Sequence, residues 1–312
     1  MTTKPVASLS LDLDNKWSYL KTHGDAGWGQ FPTYLPLVVP RFLDFLRERG
    51  LQITVFIVGQ DAELPANRES LAAIAAAGHE IGNHSFHHEP WLHLYSREQL
   101  TEELERTEVA LSNVTGQTPR GFRGPGYSRS PDLLTVLCER GYDYDASSLP
   151  TFIGPLARLY YFCTARLNRE QKQERKKLFG SVRDALLPLR AYRLPPPHER
   201  LIEIPVTTMP LVRAPFHFSY LLYLRLFSRV LPRLYFRTAL ALCKVRRIEP
   251  SLLLHPLDFL GAEDDRDLDF FPGMRLPAAV KLQLLSDTLA DLTRSFDVIP
   301  MGEHARRIAA RG

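Results

Sequence analysis

Four histidines, His79, His84, His87 and His88, fall within the segment "HEIGNHSFHHEP" of a chain that holds ten in all. They follow an apolar run, and a core strand has no use for them. Imidazoles grouped in this way suit a metal ion. His84 and His88 are spaced H-x-x-x-H, which on a helix puts both on one face. Pro90 follows closely, so a strand-end loop or short turn is the expected setting. A catalytic zinc takes about three protein ligands and keeps a position open for water. The third ligand, a carboxylate or another histidine, must come from elsewhere. "SLDLDNKW" offers Asp12 and Asp14. If the strand runs to Asp14, both carboxylates face one way. Like charges at an apolar strand end call for a cation or a proton. Either motif alone has an ordinary explanation, such as a turn cap or a surface residue. Both at strand ends of one frame point to a metal site.

The frame follows from periodicity. Strands are expected at Val6 to Asp14 and in "QITVFIVG", "HEIGNHS", "GFRGP" and "YDYDAS". Helices are expected between them: "LPLVVPRFLDFLRERG", "RESLAAIAAAG", a helix after Ser96 with Gln99 at the capping-box position, and "SPDLLTVLCERG". The alternation resumes with "LIEIPVTT", "SLLLHPLDF", a helix from Leu276 to Phe296 and a last strand, "DVIPM". This is the pattern of a parallel α/β sheet or barrel.

These residues resemble the polysaccharide deacetylase family, the NodB-like carbohydrate esterases. "LSLDLDN" looks like the family's first motif, in the branch where one residue separates the aspartates. "NHSFHH" matches H-[ST]-x-x-H through His84, Ser85 and His88. "FRGPGYS" resembles R-x-P-x-[GY] through Arg123, Pro125 and Tyr127. "GYDYDASS" sits where the fourth motif belongs, without its usual tryptophan, and "LLLHP" matches the closing L-x-H through Leu253 and His255. The resemblance implies a single domain over residues 1–312 with a distorted (β/α)7-type barrel. It implies a divalent metal, zinc first, on Asp14, His84 and His88. Asp12 would be the general base, held by Arg123. His255 would protonate the leaving amine, supported by Asp145, which is preferred over Asp143 because "ASS" follows it. The Tyr127 backbone N–H would face the oxyanion. Pro125 and Tyr127 would line the substrate site, and Trp17 is assigned there too. His79 and His87 are read as bystanders and Ser85 as a group satisfying local backbone.

Composition bounds the rest. A net charge of +4 over 312 residues does not suggest nucleic acid. The three cysteines are too scattered for a disulfide framework. No stretch has the length of a signal peptide or a spanning helix, which suggests a cytoplasmic protein. Basic residues concentrate in an insertion at about 151–250 that would form a lid or a membrane-facing region. Arg158 to Arg200 has eleven Lys/Arg against four acids, and Leu211 to Arg247 has eight and no acid. Arg225, Arg229, Arg233 and Arg237, four apart, would form one stripe on a helix that Pro232 kinks or splits. Such a stripe beside apolar surface suits an anionic membrane, at the inner face for a cytoplasmic protein. The expectation is a metal-dependent hydrolase that removes an acetyl or formyl group from an amino sugar, lipid-linked if the membrane contact holds. The rivals are an amide hydrolase of small non-carbohydrate substrates and a non-catalytic carbohydrate- or lipid-binding relative.

Overall fold

The computed structural model describes residues 4–152 and 184–311. Among the described residues the sheet has nine strands: β1 (Val6–Asp12), β2 (Thr54–Ile57), β3 (Glu80–Asn83), β4 (Gly121–Phe122), β5 (Tyr144–Asp145), β6 (Tyr192–Arg193), β7 (Ile202–Glu203), β8 (Ser251–Leu254) and β9 (Asp297–Ile299). Their order is β6-β7-β5-β4-β3-β2-β1-β8, with β9 added to β1. All pairings are parallel except β6 with β7. Every side chain of β1 is buried, as a parallel strand covered on both faces requires. β7 and β8 are bridged rather than paired. The Thr207 N–H donates to the Ser251 carbonyl at 2.9 Å, and the Ser251 N–H donates to Thr207 Oγ1 at 2.9 Å. These contacts bring the two ends of the sheet together in the expected distorted barrel.

Helices cover the sheet. Among the described residues they are α1 (Lys16–His23), α2 (Leu35–Arg47), α3 (Gly59–Glu63), α4 (Arg68–Ala76), α5 (Arg97–Thr115), α6 (Pro131–Glu139), α7 (Phe218–Phe227), α8 (Leu231–Val245), α9 (Ala278–Ser295) and α10 (Met301–Ala309). Their ends obey local chemistry. Asn15 caps α1, and Ser96 with Gln99 forms the expected capping box of α5. Ser130 caps α6, whose first position is Pro131.

Three elements differ from the sequence reading. β1 ends at Asp12, so Asp14 lies in the loop beyond it and the two carboxylates do not alternate along one strand. The short antiparallel β6 carries no periodic signal. Helix α10 follows Pro300, and its amides enter the sheet at the strands' N-terminal ends. Met301 N–H donates to Thr54 Oγ1 at 2.7 Å and Gly302 N–H to Glu80 at 2.9 Å. A Cβ on Gly302 would lie 2.4 Å from the Glu80 carboxylate, so a larger residue would push that side chain aside.

The arginine stripe is also corrected. Ser228 is extended at the end of α7, and Pro232 is the second residue of α8, so the segment is split into two helices, one of the two outcomes expected of that proline. Arg225 therefore lies on α7, Arg229 in the link, and Arg233 and Arg237 on α8. The last two pair with Asp291 of α9, each at 2.9 Å, so they brace helices instead of facing outward together. Most of the first basic stretch, Arg158 to Arg183, lies outside the described residues.

Candidate active site

Strand register alone gathers the chemistry-bearing residues at one rim. Leu11 pairs with Leu254 and Ile57 with Asn83; Asn83 pairs with Phe122, and Phe122 with Asp145. One residue past these rungs stand Asp12, His255, His84 and Arg123. All sit at the carboxyl ends of parallel strands, where open α/β sheets and barrels bind ligands.

Asp14, His84 and His88 place one donor atom each within 4.8 Å of one another. His88 Nε2 is 3.0 Å and His84 Nε2 3.3 Å from Asp14 Oδ1. Two donors about 2.0–2.1 Å from a zinc ion, at the tetrahedral angle, lie about 3.3 Å apart. The separations and the N/N/O donor set thus fit a divalent metal. His84 Nδ1 lies 2.6 Å from the Arg123 carbonyl. Donation to that carbonyl leaves Nε2 free to ligate. Burial works against a charge on Asp14, but His88 and His84 outweigh it and hold the carboxyl well below its usual range. Burial likewise opposes charge on His84, while Asp12 and Asp14 raise its pKa overall. Ser85 and His88 have φ of 61° and 53°. Such strain in non-glycine residues persists only where packing over-determines it. The Phe86 and His87 N–H groups donate to Glu103, which with His87 Nδ1 at 2.5 Å pins this loop.

A second layer holds the Asp14 loop. Asn15 Nδ2 and Trp17 Nε1 donate to Asp61 Oδ1 at 2.7 and 2.9 Å, and Asn67 Nδ2 joins them at 3.0 Å. Burial pushes Asp61 up to about 7. Trp17 is 1% exposed. It packs edge-on to His88 at 6.4 Å, so it backs the Asp14, His84 and His88 cluster instead of presenting an open surface to substrate as expected.

Arg123 is fully buried over the ring of Phe56. Its Nη1 donates to Asp12 at 2.7 Å and to Ser10 Oγ at 2.8 Å, and its Nε to the Ala146 carbonyl at 3.0 Å. Asp12 thereby has a partner of its own, separate from the Asp14 cradle. Pro125 and Tyr127 follow in a tight turn. The Tyr127 N–H donates to the Gly124 carbonyl at 2.9 Å, which takes it away from the expected oxyanion. A Cβ on Gly124 would meet the Ser128 carbonyl at 2.1 Å, so the turn needs glycine there.

The support of His255 is the main surprise. Asp145 accepts from Ser147 Oγ at 2.5 Å and from Arg129 Nε at 3.2 Å, and it is paired with the buried Glu203. His255 instead lies with Nδ1 3.1 Å from Ser219 Oγ, whose own proton goes to Asp258 Oδ1 at 3.1 Å. With that proton spent on Asp258, the Ser219 oxygen accepts from His255 Nδ1–H and leaves Nε2 for the site. Asp258 Oδ2 also accepts the His255 backbone N–H at 2.8 Å. Sequence spacing could have shown Asp258, which stands three residues after His255 behind a proline, as a capping acid. Nothing local points to Ser219, which arrives on α7 from the basic insertion. His79, which accepts from the Ile53 N–H, and His87 lie off the cradle as expected.

Comparison with known proteins finds relatives for part of the chain. Residues 24–144 match the family model of polysaccharide deacetylases. That stretch holds His84, His88, Arg123 and Tyr127, and Asp12, Asp14 and His255 lie outside it. A peptidoglycan deacetylase of Helicobacter pylori is 28% identical over 109 residues, covering 35% of this chain and 36% of the relative. A peptidoglycan-N-acetylglucosamine deacetylase of Bacillus cereus is 33% identical over 86 residues, covering 28% of this chain and 30% of the relative. The chain thus matches about a third of the length of these curated relatives. A polysaccharide deacetylase-like protein from Mycobacterium smegmatis, known from its crystal structure, shares the fold. Its TM-score is 0.65 at 21% identity, covering 99% of this chain and 91% of that one. Residues 24–144 thus resemble the polysaccharide deacetylases in sequence, and the chain as a whole shares their fold.

Proposed function

We propose that the protein is a metal-dependent hydrolase that removes an N-acyl group, acetyl or formyl, from an amino sugar. The observation that carries this reading is Asp12, held by Arg123 at 2.7 Å, beside the separate Asp14, His84 and His88 cradle. A divalent ion there, zinc first, supplies a polarised amide carbonyl and an acidified water. Asp12 accepts the proton of the attacking water, and Arg123 keeps it ionised and aimed. His255 donates a proton from Nε2 to the departing nitrogen, while Ser219 and Asp258 fix its tautomer. The amide C–N bond breaks, the water oxygen joins the acyl carbon, and a free amine and a small carboxylate leave. The relatives named for peptidoglycan deacetylation support an N-acetylated amino sugar as the substrate class.

The turn between α7 and α8 supports a lipid-linked sugar presented at an anionic membrane. Phe227 is 85% and Val230 71% exposed, with Leu231 and Leu234 beside them in sequence. Arg225 and Arg229 flank this apolar tip, and neither has an ion pair among the described residues. Exposed aromatic and aliphatic groups with adjacent cations are the makeup of an interfacial segment. No helix among the described residues is long and apolar enough to cross a membrane.

The test is amine release from N-acetyl and N-formyl glycosides of glucosamine, by protein stripped with a chelator and then reloaded with zinc. The reading expects equal amounts of amine and carboxylate, lost on stripping and restored on reloading. A fully loaded protein that releases neither would contradict it and favour a binding protein.

A further inference from the structure

Lys281 lies one turn into α9 and is fully buried. A cation is disfavoured there twice, by the loss of water and by the positive end of the helix dipole. Its Nζ donates to the Leu257 carbonyl at 2.8 Å and to Met274 Sδ at 3.6 Å, and neither partner carries a charge. That carbonyl belongs to the peptide group joining Leu257 to Asp258, in the short turn Pro256–Asp258 beside His255. Asp258 is itself buried, and its donors, Ser219 Oγ and the His255 N–H, are neutral. A buried cation and a buried carboxylate thus meet at one peptide unit. Attraction between charges is little screened inside a protein, so the two balance each other without touching. Two further carboxylates act on Lys281. Asp264 is taken by Arg41 at 2.6 Å, and the exposed Glu263 accepts the Ala278 N–H at 2.9 Å. Burial lowers Lys281 to about 8, with Asp258 the foremost group opposing it, so the side chain is charged at neutral pH. Burial raises Asp258, and His255 and Lys281 restrain the rise.

We propose that Lys281 is a positioning residue for the proton donor: it fixes the Pro256–Asp258 turn through the Leu257 carbonyl and keeps Asp258 an acceptor, so that Ser219 can hold the Nδ1–H of His255. This rests on the reading of His255 as the group that protonates the leaving nitrogen. A protonated Asp258 would donate to Ser219 instead of accepting from it. The Ser219 proton would then turn to His255 Nδ1, and the ring could no longer carry the second proton that it is to deliver. Lys281 prevents this reversal from behind, through Asp258 and Ser219, and itself touches no reacting group.

The experiment is a double-mutant cycle of Lys281→Met with Asp258→Asn on the zinc-loaded full chain, read by amine release from p-nitrophenyl N-acetyl-β-glucosaminide. Lys281→Met, similar in length but uncharged, should lower kcat roughly tenfold and leave KM unchanged. In the Asp258→Asn background the same change should cost less than about twofold, because the group it acts through is already gone. Urea midpoints give a second readout. The double variant should unfold at a higher midpoint than Asp258→Asn alone, since it leaves no buried charge unbalanced. A lysine with only a structural role would lower the midpoint in both backgrounds alike. If Lys281→Met is insoluble, Lys281→Gln, which keeps a donor without the charge, takes its place in the cycle. Losses in kcat that multiply across the cycle would overturn the inference and leave the deacylase reading intact. A wild type that releases no amine would overturn that reading and the inference with it.

Discussion

Ser219 Oγ lies 3.1 Å from His255 Nδ1 and 3.1 Å from Asp258 Oδ1, so a residue of the inserted helix completes the support of a strand-end histidine. Removing the hydroxyl should slow the chemistry without unfolding the protein. Ser219→Ala should lower kcat about tenfold, the scale of one neutral hydrogen bond. Asp258→Asn should lower it further. Asp145→Asn should lower the melting temperature and leave kcat of the folded protein within a few-fold, because Asp145 pairs with Arg129, Ser147 and Glu203. Steady-state amine release for the three variants checks this, and a loss at Asp145 comparable to that of His255→Ala would refute the assignment.

Arg123 is the residue whose loss should most damage the fold. It is completely buried and neutralises a nearly buried Asp12. Arg123→Met should cost roughly 3–5 kcal/mol, because a carboxylate is left without its partner. Asp12→Asn leaves the buried guanidinium without a counter-charge but keeps an oxygen that accepts its hydrogen bond, so it should cost less, roughly 2–3 kcal/mol. Urea titrations of both variants give the comparison, with equal midpoints as the contrary outcome.

The rim itself was legible in the sequence, and its outer support was not. Asp12, Asp14, His84, His88, Arg123 and His255 are set by short local motifs at strand ends, so sequence order alone names them. The surroundings of Trp17 and of the Tyr127 N–H are not legible there, because their partners, Asp61 and the Gly124 carbonyl, are decided by packing and turn geometry. The separation of Asp145 from His255 has a different cause. His255 takes its support from Ser219 across 36 residues of chain, and that approach depends on where Ser228 ends α7 and Pro232 begins α8. The same break removes the single arginine stripe that regular four-residue spacing suggests.

Asp61 gives the fold a pH dependence of known sign. Burial raises its pKa from an ordinary carboxylate value to about 7. Below about pH 4 the folded and unfolded forms are both protonated and the full contribution is present. It is lost as pH rises through 7, because the folded state holds its proton longer. The shift amounts to roughly 4 kcal/mol as an upper bound. In chelated protein, the unfolding free energy of wild type should fall from pH 4 to 7 relative to that of Asp61→Asn. Parallel profiles for the two proteins would show that Asp61 ionises normally.

The apolar tip between α7 and α8 can be tested apart from the chemistry. Phe227→Ser with Leu234→Ser should abolish sedimentation with phosphatidylglycerol vesicles and leave turnover of a soluble glycoside unchanged. Wild-type binding should weaken as salt rises, since Arg225 and Arg229 contribute through charge. Equal sedimentation of the double variant would remove the membrane from the account.

The central claim is that Asp12 acts as base beside a metal it does not ligate. Metal content and amine release, measured together on Asp12→Asn, Asp14→Asn and His88→Ala, test it most directly. Asp12→Asn should keep about one zinc per chain and lose turnover by roughly 100-fold or more, while Asp14→Asn and His88→Ala lose both metal and turnover. An Asp12→Asn protein that retains wild-type amine release, or that loses its zinc as His88→Ala does, would contradict the account.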